Sequence, residues 1–346
     1  MELTPIDFSP HCEQLKNYNK KFSYSRICNL KNKPIACYHQ EKNSCKTLAH
    51  YGQLKLLISE IEFLNKIINI DKNIENILII YIGAAPGIHI KLLYEMFPNF
   101  EYILIDPDKF SEDIINLSKT NNNINIINKL FYEKETEELK KEYSNKNIYL
   151  ISDIRAFSEN NYENMGNWEI QTKREEDIIE NNKLQMKFYD LLKPKLSMFK
   201  MRLPFYKEIT EIKTIKFLEG EIYYQAYAGP RSTETRIIVQ ENAKIINYDC
   251  ELYENNLFSF NYYIRPNFYP NRFTFKEFFI DNCYDCYTFT KILEEYCLIF
   301  PDKKMELDDQ IKYFIIKINN YLKISEKKLL LTKNGIKYKV FVKNLF

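Results

Sequence analysis

A small-residue turn, two strand-end aspartates, a lysine inside an apolar strand and a glutamate at the start of another are the places where this sequence could do chemistry. The turn is Tyr81-Ile-Gly-Ala-Ala-Pro-Gly87. Gly83 and Gly87 carry no side chain, and Ala84 and Ala85 carry small ones, so a ligand can come close to the backbone there. That suits a nucleotide-like group. The GxGxxG spacing that seats a pyrophosphate on a helix N-terminus is absent, which disfavours a nicotinamide dinucleotide. A tight turn with no ligand is the alternative. Asp106 ends YILIDPD and Asp153 ends LISDIR. In a doubly wound sheet the first would accept hydrogen bonds from ribose hydroxyls, and the second would point into the same crevice beside the topological switch point. An aspartate at a strand end is also an ordinary turn residue. Lys200 lies within LSMFKMRLPF, where a charged amine is costly unless it is paired or its pKa is lowered. Glu234 sits in STETRIIVQ. Taken singly, each of these two reads more simply as an exposed edge residue.

The elements that must position these groups follow from the apolar pattern. GQLKLLISEIEFLNKIINI places Leu54, Leu57, Ile58, Ile61 and Leu64 at helical spacing, with Lys55 at the edge of the apolar face. NILIIYIG is a continuous apolar run of the kind that forms a buried parallel strand. IHIKLLYEMF, EYILID, DIINLSKT, INIINKLF, EKETEELKKEY and NIYLISD then alternate helix and strand, and a longer helix runs up to Leu192. Such alternation predicts βαβ units and an α/β, doubly wound, Rossmann-like parallel sheet with flanking helices. Beyond Pro194 the strand KLSMFKMRLP leads to the extended, aromatic segments EIYYQAYA and TETRIIVQ. Segments after Asn247 read as helical, with DDQIKYFIIKINNYL the clearest, and Asn334-Gly335 marks a terminal hairpin. Residues 1–50 read as an N-terminal extension, 51–300 as the main domain, and 301–346 as a C-terminal helix and tail.

Composition bounds the class. The chain has 346 residues, 45% hydrophobic and 15% aromatic, enough for a packed core and against disorder throughout. Forty-nine basic and 47 acidic residues leave a net charge of +2, so a nucleic acid would be held on a local basic patch and not by bulk charge. No run reaches about 18 apolar residues, and MELTPIDFSPHCEQ lacks a basic then apolar leader. A soluble, unsecreted protein without a membrane partner is expected. The eight cysteines are dispersed along the chain, which favours reduced thiols. Cys37, His39, Cys45 and His50 could ligate zinc, but their spacing fits no established pattern. Cys283-x-x-Cys286 lacks a second pair or a nearby histidine, so no metal site is expected. Trp168 reads as packing. Only 7 glycines occur, where average usage would give roughly 24, so each one needs a reason.

GQLK, YIGAAPGIHI, LIDPD, LISDIR, FKMRLPF and TETR, in this order and at these separations, resemble the poxvirus-type cap-specific mRNA (nucleoside-2′-O-)-methyltransferases. In poxviruses that family also serves as the processivity subunit of poly(A) polymerase. The resemblance runs from about Tyr51 to the helices near residue 320 and includes INYDCELYENN and the FNYY region. It implies methylation of the ribose 2′-hydroxyl of the first transcribed nucleotide of m7G-capped mRNA (cap 0 to cap 1), with S-adenosyl-L-methionine as donor. Further implications are a poly(A) polymerase catalytic subunit as partner, action in the host cytoplasm, and packaging in the virion.

The family's Lys-Asp-Lys-Glu tetrad falls on Lys55, Asp153, Lys200 and Glu234, with Lys200 as base. A lysine needs its pKa of about 10.4 brought toward neutrality for that task, which burial and a second ammonium at Lys55 would favour. Asp153 and Glu234 oppose the shift, so their task is to orient the amines. The implied donor pocket comprises Gln53, Tyr81, Gly83, Ala85, Pro86, Gly87, His89, Asp106, Phe131 and Asp153. For the cap, the resemblance implies a cation–π stack on Phe205, with Tyr38 the nearest candidate for the second ring and Asp249 reading the guanine edge. Lys207 stands where the family has an acid, and a lysine cannot accept guanine's donor hydrogens. Two other readings remain open: a non-catalytic RNA-binding polymerase accessory, and a 2′-O-methyltransferase acting on uncapped RNA.

Overall fold

The computed structural model describes residues 22–31, 34, 51–154, 167–205, 211–229, 232–265, 267–278, 280–324, 330–332 and 335–337. Its centre is a seven-stranded sheet built from β1 (Ile77–Ile82), β2 (Glu101–Ile105), β3 (Ile124–Ile127), β4 (Asn147–Ser152), β5 (Leu196–Met201), β7 (Glu221–Tyr223) and β8 (Thr235–Gln240), in the order β3-β2-β1-β4-β5-β8-β7. The first five strands in that order pair in parallel. β8 runs antiparallel to both its neighbours, so the expected parallel sheet contains one reversed strand, and the edge strand β7 again runs with the others. A second, two-stranded antiparallel sheet joins β6 (Thr214–Leu218) to β9 (Ile245–Asp249). The expected hairpin is present as β10 (Leu330–Thr332) and β11 (Gly335–Lys337), with Thr332 opposite Gly335.

Helices cover both faces, and the strand residues sort between them with a period of two. Ile77, Ile79, Tyr81, Tyr102, Leu104, Tyr149, Ile151, Leu196 and Met198 belong to one core. That core also takes in α1 (Gly52–Ile70), α2 (Ile90–Met96), α7 (Tyr284–Ile299) and α8 (Leu307–Tyr321). Leu78, Ile80, Ile82, Ile103, Ile105, Ile148, Leu150, Phe199 and Met201 belong to the other, with α4 (Glu133–Glu142), α5 (Asn167–Leu192) and α6 (Cys250–Ser259). The remaining helix, α3 (Glu112–Thr120), contributes Ile114 to the first core. Continuous apolar runs such as ILIIYI are required because these strands are buried on both faces.

The sequence pattern predicts an amphipathic α1 with Lys55 at its rim. Instead thirteen of its nineteen residues are buried: α7 packs on the helix, and its buried charged residues are covered by partners from elsewhere, Lys55 by Glu234, Glu60 by His89 and Tyr81, and Glu62 by Arg26. The region expected to be an extension also contributes. Ile27 bridges to Tyr223, the Cys28 N–H donates to the Ile222 carbonyl at 2.7 Å, and Arg26 pairs with Glu62 at 2.7 Å, closing the β7 edge. Unpaired edges invite association. Among the described residues no helix is long and apolar enough to cross a membrane.

Gly220, which the sequence leaves without a task, lies where β6 passes to β7 against the backbone of β8. A Cβ there would stand 2.5 Å from the Ile238 carbonyl oxygen and 2.9 Å from Ile237 Cγ1. Gly220→Ala is therefore expected to cost about 1–3 kcal/mol through overpacking, read as a lower denaturant midpoint. An unchanged midpoint would contradict this contact.

Candidate active site

The two-residue period also fixes which charged groups meet. Asp153 continues the alternation of Tyr149 and Ile151 in β4, and Lys200 continues that of Leu196 and Met198 in β5, so both face the α1 side. In β8, Arg236 lies directly opposite Lys200 and Ile238 opposite Met198, so Arg236 and, two residues earlier, Glu234 point the same way. Lys55 arrives from the first turn of α1.

The result is a compact charge cluster at the carboxyl edge of the sheet. Lys55 Nζ lies 2.5 Å from Glu234 Oε1. Lys200 Nζ is more loosely placed, 3.5 Å from Asp153 Oδ1 and 3.9 Å from Glu234 Oε2. Arg236 donates to Asp153 Oδ1 at 2.9 Å and stands 3.6 Å from Glu234 Oε1. With its amide oriented to satisfy both partners, Gln225 donates to Glu234 at 3.0 Å and accepts from Arg236 Nε at 3.3 Å. Lys200 and Glu234 open onto a cavity of about 170 Å³ lined also by Arg202 and by Ile178, Asn181, Asn182 and Gln185 of α5. Gln185 donates to the Lys200 carbonyl at 3.0 Å and Asn182 to the Arg202 carbonyl at 3.1 Å, which ties that helix to the strand carrying the lysine.

The small-residue turn is built against the same cluster. Gly83 has φ +84°, and a Cβ on it would come within 2.7 Å of the Asp153 carbonyl carbon, so its bareness lets β1 and β4 end side by side. The turn contains a cis Ala85–Pro86 peptide and continues through Gly87 into α2. Asp106 holds it from the next strand: Oδ2 accepts the Ala85 N–H at 2.9 Å and Oδ1 the Asp108 N–H at 2.9 Å. Burial pushes the Asp106 carboxyl above its usual range, despite those two backbone donors.

Four other residues expected to line the donor pocket are engaged inside the protein. Gln53 Oε1 accepts the His89 backbone N–H at 3.2 Å and lies 2.8 Å from His89 Nδ1. The backbone donor fixes that amide oxygen as the acceptor, so Nδ1 carries a hydrogen. His89 Nε2 lies 2.9 Å from the Glu60 carboxylate, and the Tyr81 hydroxyl donates to Glu60 at 2.8 Å. The His89 ring and Glu60 are each 1% exposed, so this contact lies inside the core. Phe131 packs on Phe188, with ring centroids 5.7 Å apart.

Of the residues expected at a cap, Phe205 lies nearly parallel to Phe258, at 13° with centroids 6.3 Å apart, and the Arg202 guanidinium stands 4.8 Å from the Phe205 ring centre. Its N–H donates to Glu175 at 3.0 Å, and Arg202 donates to the same carboxylate at 2.7 Å. Asp249 is exposed and caps α6, accepting the Leu252 N–H at 2.8 Å. Tyr38 and Lys207 lie outside the described residues.

Sequence reasoning missed Arg236, Gln225, Glu60 and the polar face of α5. Arg236 had a signal: in TETR it stands two residues after Glu234, hence on the same face, and it leads into the apolar run Ile237-Ile238-Val239. Glu60 had one too, as an acid between the apolar residues Leu57, Ile58, Ile61, Phe63 and Leu64 of that helix. Gln225, outside any strand, had none.

A sequence model of the family described as poly A polymerase regulatory subunit matches residues 17–338. The cap-specific mRNA (nucleoside-2′-O-)-methyltransferase of fowlpox virus (strain NVSL) is 30% identical over 252 residues, covering 68% of this chain and 76% of that protein. Proteins of the same name from myxoma virus strains Lausanne and Uriarra are 30% identical over 230 residues, 64% of this chain and 63% of theirs, so the match spans less than two thirds of the myxoma proteins.

Burial alone would push the Asp153 carboxyl up, but Arg236 first and Lys200 second hold it below the usual carboxylate range. A carboxyl depressed in the folded state contributes stability that is fully present above its unfolded value of about 3.9 and is lost as pH falls through the folded value. Asp153→Asn should therefore lose less stability than the wild type below about pH 4, read from denaturant midpoints across pH. Parallel curves for the two proteins would contradict this.

Proposed function

The chain belongs to the poly A polymerase regulatory subunit family, and from that premise we propose that it methylates the ribose 2′-hydroxyl of the first transcribed nucleotide of m7G-capped mRNA, converting cap 0 to cap 1 with S-adenosylmethionine as donor. The observation that carries the reading is the charge cluster. It holds three cations, Lys55, Lys200 and Arg236, against two carboxylates, Asp153 and Glu234. Arg236 does not give up its proton, and Lys55 is bonded closely to Glu234. Lys200 has the longer contacts and opens onto the cavity. Its loss of a proton leaves the five groups electrically neutral. Lys200 is thus the group placed to accept the 2′-hydroxyl proton. Lys55, Arg236 and the two acids orient it.

The residues beside the cluster fit the donor. Each Asp106 oxygen takes one backbone N–H and keeps acceptor capacity for a ribose hydroxyl. The turn from Gly83 to Gly87 offers backbone, and it is supported from beneath by Tyr81 and His89, which meet on Glu60, and by Gln53, which holds His89. Phe131 would lie toward the adenine. When bound, the donor supplies a sulfonium methyl group, so the protein's main tasks are alignment and removal of one proton. Phe205 would stack on the positively charged 7-methylguanine, with Phe258 the aromatic parallel to it. Asp249 is kept as a candidate for the guanine edge. The family description supports a second role beside a poly(A) polymerase catalytic subunit. Action in the host cytoplasm and packaging in the virion remain part of this proposal.

Lys200→Ala should lower methyl transfer to capped RNA by about 100-fold or more while leaving donor binding, measured by calorimetry, in place. Normal transfer by that variant would sink the assignment. Phe205→Ala should weaken binding of an m7G cap analogue far more than binding of GTP, and equal losses on both would argue against the stack.

A further inference from the structure

A group of metal-ligand side chains lies away from the charge cluster, on the α7 side of α1. Asp281, Cys283 and Cys286 each offer one ligand atom, and the three atoms lie within 4.8 Å of one another. Both cysteines are 0% exposed and Asp281 is 6% exposed. One Asp281 oxygen accepts the Cys283 N–H at 2.8 Å, an ordinary Asx turn just before α7. The other, Oδ2, is buried with no hydrogen-bond partner among the described residues, a costly state for a carboxylate oxygen. A cation removes that cost. The Tyr227 hydroxyl, itself fully buried, lies 3.4 Å from Cys286 Sγ.

We propose that Asp281, Cys283 and Cys286 hold a structural zinc ion, with the Tyr227 hydroxyl oxygen as the fourth ligand. Two thiolates in the donor set exclude magnesium and calcium, which require oxygen ligands, and favour a borderline-soft divalent ion bound tetrahedrally. Asp281 is the third ligand that the Cys283-x-x-Cys286 spacing alone does not reveal. The site's place explains its use. The Tyr227 carbonyl accepts the N–H of Tyr51 at 3.3 Å, and the Tyr51 carbonyl accepts the N–H of Lys55 at 2.8 Å. An ion here would pin the segment after β7 and α7 to the first turn of α1, which carries Lys55. The assignment does not rest on the methyl-transfer reading.

The test is the metal content of the full-length chain, produced with zinc present, dialysed and subjected to elemental analysis. About one zinc per chain is expected, falling about tenfold in Cys283→Ser/Cys286→Ser. Asp281→Asn, which keeps the side chain's size, should stay folded and release zinc to a chelator about tenfold faster than wild type. The cobalt-loaded wild type should show a thiolate-to-metal charge-transfer band, which decides the matter if the double variant does not fold. A zinc-free wild type, unchanged zinc in the double variant, absence of the cobalt band, or a Cys283–Cys286 disulfide in the intact protein would each overturn the proposal.

Discussion

Arg236 is the charge on which the rest of the site depends. It is 3% exposed and bridges Asp153 and Glu234, two carboxylates that would otherwise repel each other at the edge of a largely apolar sheet. Removing one partner from such a buried pair typically costs about 3–5 kcal/mol, because a charge is left uncompensated. A guanidinium suits this place because it keeps its proton and offers several fixed donors to two acids at once. With that charge permanent, the remaining variable is which lysine can change state. Within the proposed function that lysine is Lys200, whose ion pairs to Asp153 and Glu234 are longer than that of Lys55 to Glu234.

The cluster and the small-residue turn are one construction. Gly83 is pressed against the Asp153 carbonyl, so any displacement of the turn is felt by the carboxylate that faces Lys200. From below, Glu60 binds His89 and Tyr81, and Gln53 binds His89 twice. Glu60, Gln53 and Lys55 all belong to α1. One helix therefore supports the turn and delivers a lysine to the cluster. Within the proposed function, that shared support is what would keep a methyl donor and a 2′-hydroxyl in line, where a misplacement of about 1 Å can cost 100-fold in rate.

Much of this was legible in the sequence. The strand–helix alternation was readable because strands buried on both faces must be apolar throughout, as in ILIIYI and YILI. Lys200, within an apolar strand, and Glu234, at the start of another, were visible as charges, though each taken singly reads more simply as an exposed edge residue. Other features depend on contacts that no local pattern encodes. Lys55 reads as a rim residue because its burial depends on Glu234, which a distant strand brings against it. The reversal of β8, which sets Arg236 opposite Lys200, follows from chain topology. Gly220 and Gly83 proved to be places where backbone meets backbone, so scarce glycines here record the protein's own close approaches as much as a ligand's. Asp249, expected to read a base, has a helix-capping task that its position before CELYENN already allowed.

The most direct measurement is labelled methyl transfer from S-adenosylmethionine to three short transcripts of one sequence: uncapped, m7G-capped with a free first 2′-hydroxyl, and m7G-capped with that hydroxyl already methylated. The account predicts label on the second transcript alone, located on the first ribose after digestion. Equal labelling of the uncapped transcript, or labelling of the transcript whose first ribose is already methylated, would contradict it.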